Sequence, residues 1–336
     1  MTVVEDFMFI ELAYLGKNNF WRYLVSILII LALLVIGNIP MAVVLIVAQF
    51  SHPDVKPPTD PTDLSMYDID SNVTLALMLV AFAIGLVGVW ISVRFIHQRS
   101  FLSVVTTRPR IDMQRVLFSA ALWFGLTLGA ELVFYALHPA NYSLQFDAQR
   151  FIPLFFIAVI LIPFQSSLEE VLLRGYLLQG FGLLLRFRWI AILTTSLIFG
   201  ILHIGNPEIS KYGFLLTMPF YVTFGIAAAI ITIMDDGMEI TLGMHAINNI
   251  YGAVIVTFPS SALQTHALIH NAEYLPLGML IAWFVTATIF ILVLHRKYQW
   301  TNWSRLYSRI RKPEPPAMIE PAASLTAHQD QAPQVT

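Results

Sequence analysis

Ser166-Ser167-Leu168-Glu169-Glu170-Val171-Leu172-Leu173-Arg174 sets two carboxylates and a guanidinium into a segment that is otherwise apolar. Upstream lies Phe151-Ile152-Pro153-Leu154-Phe155-Phe156-Ile157-Ala158-Val159-Ile160-Leu161-Ile162-Pro163-Phe164, and downstream the apolar run continues to Leu185. A charge at the centre of a membrane helix costs about 2.5 to 3.5 kcal/mol on insertion scales, so three within a turn and a half must be paired. Glu170 and Arg174 are four residues apart, on one helical face, and can form an ion pair. Glu169 points about 100° away from them and is free to face another helix. Two readings stand at this point: a salt-bridge cluster where a helix leaves the bilayer, or a functional site.

Composition sets the frame. Of 336 residues, 57% are hydrophobic and only 12% charged, against about 25% charged in a soluble domain. The chain is expected to be all-α and polytopic, with the lipid bilayer as its surroundings. A net charge of -2 argues against nucleic acid, which usually announces itself by a strongly basic domain. With no cysteine, disulfides, thiolate metal sites and a cysteine nucleophile are excluded together. The first twenty residues lack a basic start, so no signal peptide is read there and segment 1–20 is expected to form a short cap.

A spanning helix needs about 20 apolar residues. About eight such stretches follow: Trp21 to Phe50, Asn72 to Phe95, Val116 to Leu137, Phe151 to Leu185, Trp189 to Ile204, Phe214 to Met234, Ile240 to Phe258 and Leu277 to Leu294. The first contains Pro40 and is either tilted or kinked. The fourth is too long for one crossing and needs tilt or a break near Gly175, Gly180 or Gly182. An even number puts both termini on one side. All Lys and Arg except Arg174, Lys56, Arg150 and Lys211 fall on that side, which the positive-inside rule makes cytoplasmic. The chain divides into the cap, three helices with their loops (21–150), a central membrane core (151–258) and a last helix (259–297). Segment 298–312 reads either as a basic amphipathic stretch lying on lipid or as a basic flank that fixes topology. The Pro- and Ala-rich tail 313–336 is expected to be disordered.

Two further polar intrusions lie within predicted helices. Phe199-Gly200-Ile201-Leu202-His203 puts a histidine one turn past an aromatic ring, and His245-Ala246-Ile247-Asn248-Asn249 puts a histidine and an amide on one face. Amide hydrolysis asks for a base to activate water, a group to hold it, and donors where an oxyanion forms. A carboxylate, two imidazoles and a carboxamide supply that set. The histidines outside the spans, His97, His266 and His270 among them, read as solvated loop residues. No His-Glu-x-x-His or Gly-x-Ser-x-Gly motif is present.

Glu169-Glu170-x-x-x-Arg174, Phe199-x-x-x-His203 and His245-x-x-x-Asn249 together resemble, in order and spacing, the three signatures of the CAAX-protease and bacteriocin-processing (CPBP, or Abi) group of intramembrane proteases. The resemblance covers about 153–256. It implies an eight-helix fold, an active site opening to the cytoplasmic leaflet, and an endopeptidase acting near the C-terminus of a protein or peptide substrate, prenylated substrates included. It further implies Glu169 as general base assisted by His203, His245 and Asn249 as oxyanion donors, and Glu170 with Arg174 holding the helix. Whether a divalent metal such as zinc, held by Glu169, His203 and His245, takes part stays open at this level. If the chain is bacterial, its membrane is the plasma (inner) membrane. Two alternatives remain: an ion or solute transporter whose charged residues line a path, and a non-catalytic immunity or partner-binding member of the group.

Overall fold

The computed structural model describes residues 7–56 and 64–312. Among the described residues there are ten α-helices: α1 Phe20–Ser51, α2 Ser71–Ile91, α3 Met113–Leu137, α4 Ala148–Glu170, α5 Leu178–Leu185, α6 Arg188–Leu202, α7 Pro207–Tyr212, α8 Phe214–Asp235, α9 Glu239–Ile250 and α10 Pro276–Tyr298. The protein is an all-α integral membrane protein: among the described residues six helices are long and apolar enough to cross a bilayer. Of the eight stretches expected, two fall short of that length. The 15-residue α6 ends ahead of Gly205-Asn206-Pro207, where proline steers the chain out of the helical region. The 12-residue α9 is prolonged by a π segment, Tyr251–Ile255.

The expected kinks and breaks take specific forms. α1 runs as one continuous helix through Pro40 for 32 residues, longer than a core of about 30 Å requires. Gly37 makes its crossing with α2 close, since a Cβ there would meet the Ala81 Cα at 2.7 Å. The fourth stretch does not break at its glycines. α4 widens into a π segment, Val171–Leu177, and continues into α5, so that Ala148–Leu185 is one rod with a local change of pitch just after the glutamate pair. Such π insertions re-aim the side chains that flank them. The start of α4 is capped by Asp147, which accepts from the Gln149 amide, and the start of α3 by Asp112, which accepts from Gln114 and Arg115.

α4 lies between α2 and α9, α9 packs on α3, and α6 packs on α8. A small sheet ties two loops together: β1 Tyr142–Leu144 runs antiparallel to β3 Ile269–Asn271, and β2 Val256–Thr257 runs parallel to β3.

Both ends of the described chain fold back on the bundle. A 3-10 helix, Phe9–Leu15, buries Phe9, Ile10, Leu12 and Ala13, with Glu11 paired to buried Arg188. Residues 1–6 of the expected cap and the tail 313–336 lie outside the described residues. Segment 298–312 does not form the continuous amphipathic helix expected of a stretch lying on lipid. It holds one 3-10 turn, Trp303–Tyr307, and buries Trp300, Leu306 and Ile310 against the bundle. Trp300 Nε1 donates to Asp235 Oδ1 at 3.3 Å, and Arg305 pairs with Asp236. Tyr307 remains exposed.

These ends, with the 106–115 loop, cover the turn between α8 and α9. Arg108 pairs with Asp235 at 3.0 Å and with Glu239 at 3.1 Å, and Arg115 also pairs with Asp235. Asp235, Met238 and Glu239 are buried. Counting helix rise from Arg186 and Arg188 puts Glu169 and His203 at about 25 Å and 22 Å, whereas counting from Glu239 puts His245 at only about 9 Å. Glu239, where α9 starts, is itself buried beneath these segments, so the count along α9 begins inside the protein and not at its surface.

Candidate active site

Glu169 and Glu170 are the last two residues of α4 before the π segment. Glu170 is 0% and Arg174 1% exposed, and their charges meet at 3.2 Å, as the four-residue spacing requires. The Arg174 guanidinium also lies 4.2 Å from the ring centroid of Phe199, which places the aromatic of the second motif against the cation of the first. Glu169 turns away from this pair toward α6 and α9. Its carboxylate Oε2 lies 3.6 Å from His245 Nε2 and 3.9 Å from His203 Nε2.

The other nitrogen of each ring is already engaged. His245 Nδ1 is 2.7 Å from Glu170 Oε1, and His203 Nδ1 is 2.7 Å from the Phe199 carbonyl oxygen. Both partners accept hydrogen bonds, so each ring carries a proton on Nδ1, and in the neutral imidazole Nε2 then presents a lone pair. Three acceptors therefore converge. Glu169 Oε2 is buried and has no hydrogen-bond partner among the described residues. Separations of 3.6 and 3.9 Å are too long for direct hydrogen bonds and fit a donor held between them.

That donor set has the chemistry of a water site and also of a divalent-cation site, since carboxylate-bound and carbonyl-bound imidazoles are the usual metal ligands. As it stands it does not close around an ion: among the described residues no group of three or more His, Asp or Glu is arranged to hold one. His266 and His270 form no such group either. His266 Nε2 instead accepts from Arg150 at 3.0 Å, and His270 lies on β3.

Asn249 reaches the acid through an intermediary. Its Nδ2 donates to Gln165 Oε1 at 2.9 Å, and Gln165 Nε2 donates to Glu169 Oε1. Gln165 lies one turn before Glu169 on the same face, and the four-residue rule that pairs Glu170 with Arg174 points to it as well. A second group carries no such signal. The Tyr221 ring stacks on His203, with centroids 4.3 Å apart and planes at 24°. Its hydroxyl donates to Glu208 of α7 and accepts from Asn206 Nδ2 at 2.9 Å. Glu208 is buried and lies on a six-residue helix that apolar periodicity does not mark. His97, read as a solvated loop residue, is fully buried: Nδ1 faces the Lys17 carbonyl and Nε2 the Tyr176 hydroxyl, each at 2.7 Å.

The fold and site define a polytopic membrane protein with a carboxylate and two imidazoles gathered inside its helices. Residues 148–251 match the model of the type II CAAX prenyl endopeptidase Rce1-like family, and that range holds Glu169, Glu170, Arg174, His203, His245 and Asn249. Over 247 residues, 73% of this chain and 81% of the relative, it is 36% identical to YyaK of Bacillus subtilis (strain 168), a protein described as uncharacterized. No solved structure matches. The chain belongs to the Rce1-like type II CAAX prenyl endopeptidase family, and that membership suggests a CAAX-type intramembrane protease.

Proposed function

We propose that this protein is an intramembrane endopeptidase that hydrolyses a peptide bond near the C-terminus of a protein or peptide substrate by means of a glutamate-activated water. The observation that carries the reading is Glu169 Oε2, with no hydrogen-bond partner among the described residues, facing the Nε2 atoms of two imidazoles at 3.6 and 3.9 Å. A water held there can donate to Glu169 and to His203 Nε2, which leaves its own lone pair directed at a carbonyl carbon.

In the attack, the water oxygen bonds to that carbon while its proton passes to Glu169, and the carbonyl π electrons move onto oxygen. The second N–H of the Asn249 amide is a donor for that oxyanion. Glu169 holds that proton beside His245, whose ring the Glu170 carboxylate orients at Nδ1, the relationship that orients the histidine of a catalytic triad. Collapse breaks the C–N bond, the nitrogen takes that proton, and a carboxyl group and an amine leave. A divalent cation such as zinc, when bound, would be held by Glu169, His203 and His245 and would supply Lewis-acid polarisation.

The test is reconstitution of the full chain in liposomes with labelled C-terminal peptides, prenylated and unmodified, comparing the parent with Glu169→Gln. The parent cleaves and the variant loses activity by at least about a hundred-fold, the usual worth of a general base. Equal turnover overturns the assignment, and ion uptake without cleavage supports a transporter instead. Cleavage that survives exhaustive chelation dismisses the zinc version, whereas loss that zinc restores supports it.

A further inference from the structure

The hydrogen bonds leading to Glu169 run in one direction across three helices. Trp123 Nε1 on α3 donates to Asn248 Oδ1 on α9 at 3.2 Å, and Asn248 Nδ2 donates to Asn249 Oδ1 at 3.1 Å. Asn249 Nδ2 donates to Gln165 Oε1 on α4 at 2.9 Å, and Gln165 Nε2 donates to Glu169 Oε1. The two ends dictate the sense of the chain. An indole N–H only donates and a carboxylate only accepts, so flipping any amide between them would set donor against donor or acceptor against acceptor.

The indole that starts the chain is itself held. Trp123 is buried and packs edge-on against Trp283 and Phe290 of α10, with centroids 5.5 and 5.1 Å away. Trp283 sends its own N–H to Thr223 Oγ1 at 2.9 Å and does not compete for Asn248. Glutamate needs such a device, because rotation about its terminal C–C bond is soft and roughly two-fold. Unless one oxygen is tied, the carboxylate plane turns and the other oxygen loses its aim.

We infer that Trp123, Asn248 and Gln165 are positioning residues that form a polarised amide relay: by holding Oε1 they turn Oε2 of Glu169 toward His203 and His245. The inference rests on the reading of Glu169 as the base. It extends the working part of the protein beyond residues 148–251, because Trp123 and the α10 residues that fix it lie outside the range that matches the family. It also gives Asn249 a second task, with one amide hydrogen in the relay and the other left for substrate.

The relay is tested with Gln165→Met, Asn248→Asp and their combination in the reconstituted full chain. Gln165→Met removes the last link and keeps the shape. It lowers kcat by about ten- to a hundred-fold, the worth of a hydrogen bond to a charged group, with KM little changed. Asn248→Asp keeps the acceptor for Trp123 and loses the donor to Asn249. The double variant is no slower than Gln165→Met alone, because a chain cut at its last link gains nothing from being intact upstream. Losses that multiply, a loss carried by KM, or full activity in Gln165→Met overturn the relay.

A second readout does not depend on turnover. With tryptophan labelled by nitrogen-15, the Trp123 indole resonance, identified among seven tryptophans by its loss in Trp123→Phe, shifts in Gln165→Met. An unmoved resonance overturns the relay. A moved resonance in a protein that cleaves no peptide leaves the relay standing and removes the peptidase reading.

Discussion

His245 Nδ1 lies 2.7 Å from Glu170 Oε1, a contact that joins α9 to the end of α4 across 75 residues of chain. It makes Glu170 the meeting point of two charge partners, because the same oxygen also faces Arg174 at 3.2 Å. Glu170→Gln keeps an acceptor for the imidazole but strands a guanidinium that is 1% exposed. It is expected to cost about 3 to 5 kcal/mol, read as a lower Tm in detergent. In Glu170→Gln/Arg174→Met the buried charge is gone, so the Tm recovers while cleavage does not. A single variant that melts like the parent contradicts this account.

The crossing of α3 and α9 sets the register of His245, Asn248 and Asn249, and Gly243 makes that crossing. A Cβ there would come within 2.1 Å of the Val116 carbonyl oxygen and 2.3 Å of Ser119 Oγ. Backbone cannot yield as a side chain can, so Gly243→Ala pushes α9 off α3 and abolishes activity. Gly125→Ala and Gly129→Ala, on the same α3, meet nothing within 4 Å. They keep full activity and gain up to about 1 kcal/mol of helix stability each. Activity assays beside melting curves for the three variants check the contrast.

His203 owes part of its placement to Tyr221. Tyr221→Phe preserves the stacked ring but removes the hydroxyl that donates to buried Glu208. The expected cost is about 1 to 3 kcal/mol of stability with a small change in kcat. Tyr221→Ala removes the stack as well and lowers kcat further. Equal kcat in the two variants would show that the ring does not orient the imidazole.

One acid sensitivity follows from His97, which lies just past the end of the second membrane-spanning rod. Burial lowers its pKa from 6.5 to about 4, outweighing the opposing hydrogen bond to the Lys17 carbonyl. The unfolded chain therefore takes up a proton below about pH 6.5 that the folded chain refuses until about pH 4. Stability is fully present above pH 6.5 and falls as the pH drops through that window. In His97→Gln that part of the fall is absent, which melting curves between pH 4 and 7 would reveal.

The membrane class and the place of the helices were legible in the sequence because a bilayer imposes length and apolarity on any segment that crosses it. The partnership of Glu170 with Arg174, and the outward aim of Glu169, followed from helical spacing alone. Gln165 was within reach of the same rule. Tyr221 and Glu208 were not, since a buried carboxylate on a six-residue helix has no periodic signature.

What only tertiary structure decided is how the separate helices meet. The sequence determined that a glutamate, two histidines and an asparagine fall in or at the ends of helical stretches, at spacings that fix which neighbours share a face. That Glu169 Oε2 lies between both imidazoles, that Trp123 begins the chain of amides, and that the α8–α9 turn is buried under both ends of the described chain all depend on helix crossings. Those crossings are set by contacts such as Gly243 against Val116 and Arg108 against Asp235. Spacing along one helix reports which side chains share a face, whereas the distance between faces belongs to the packing.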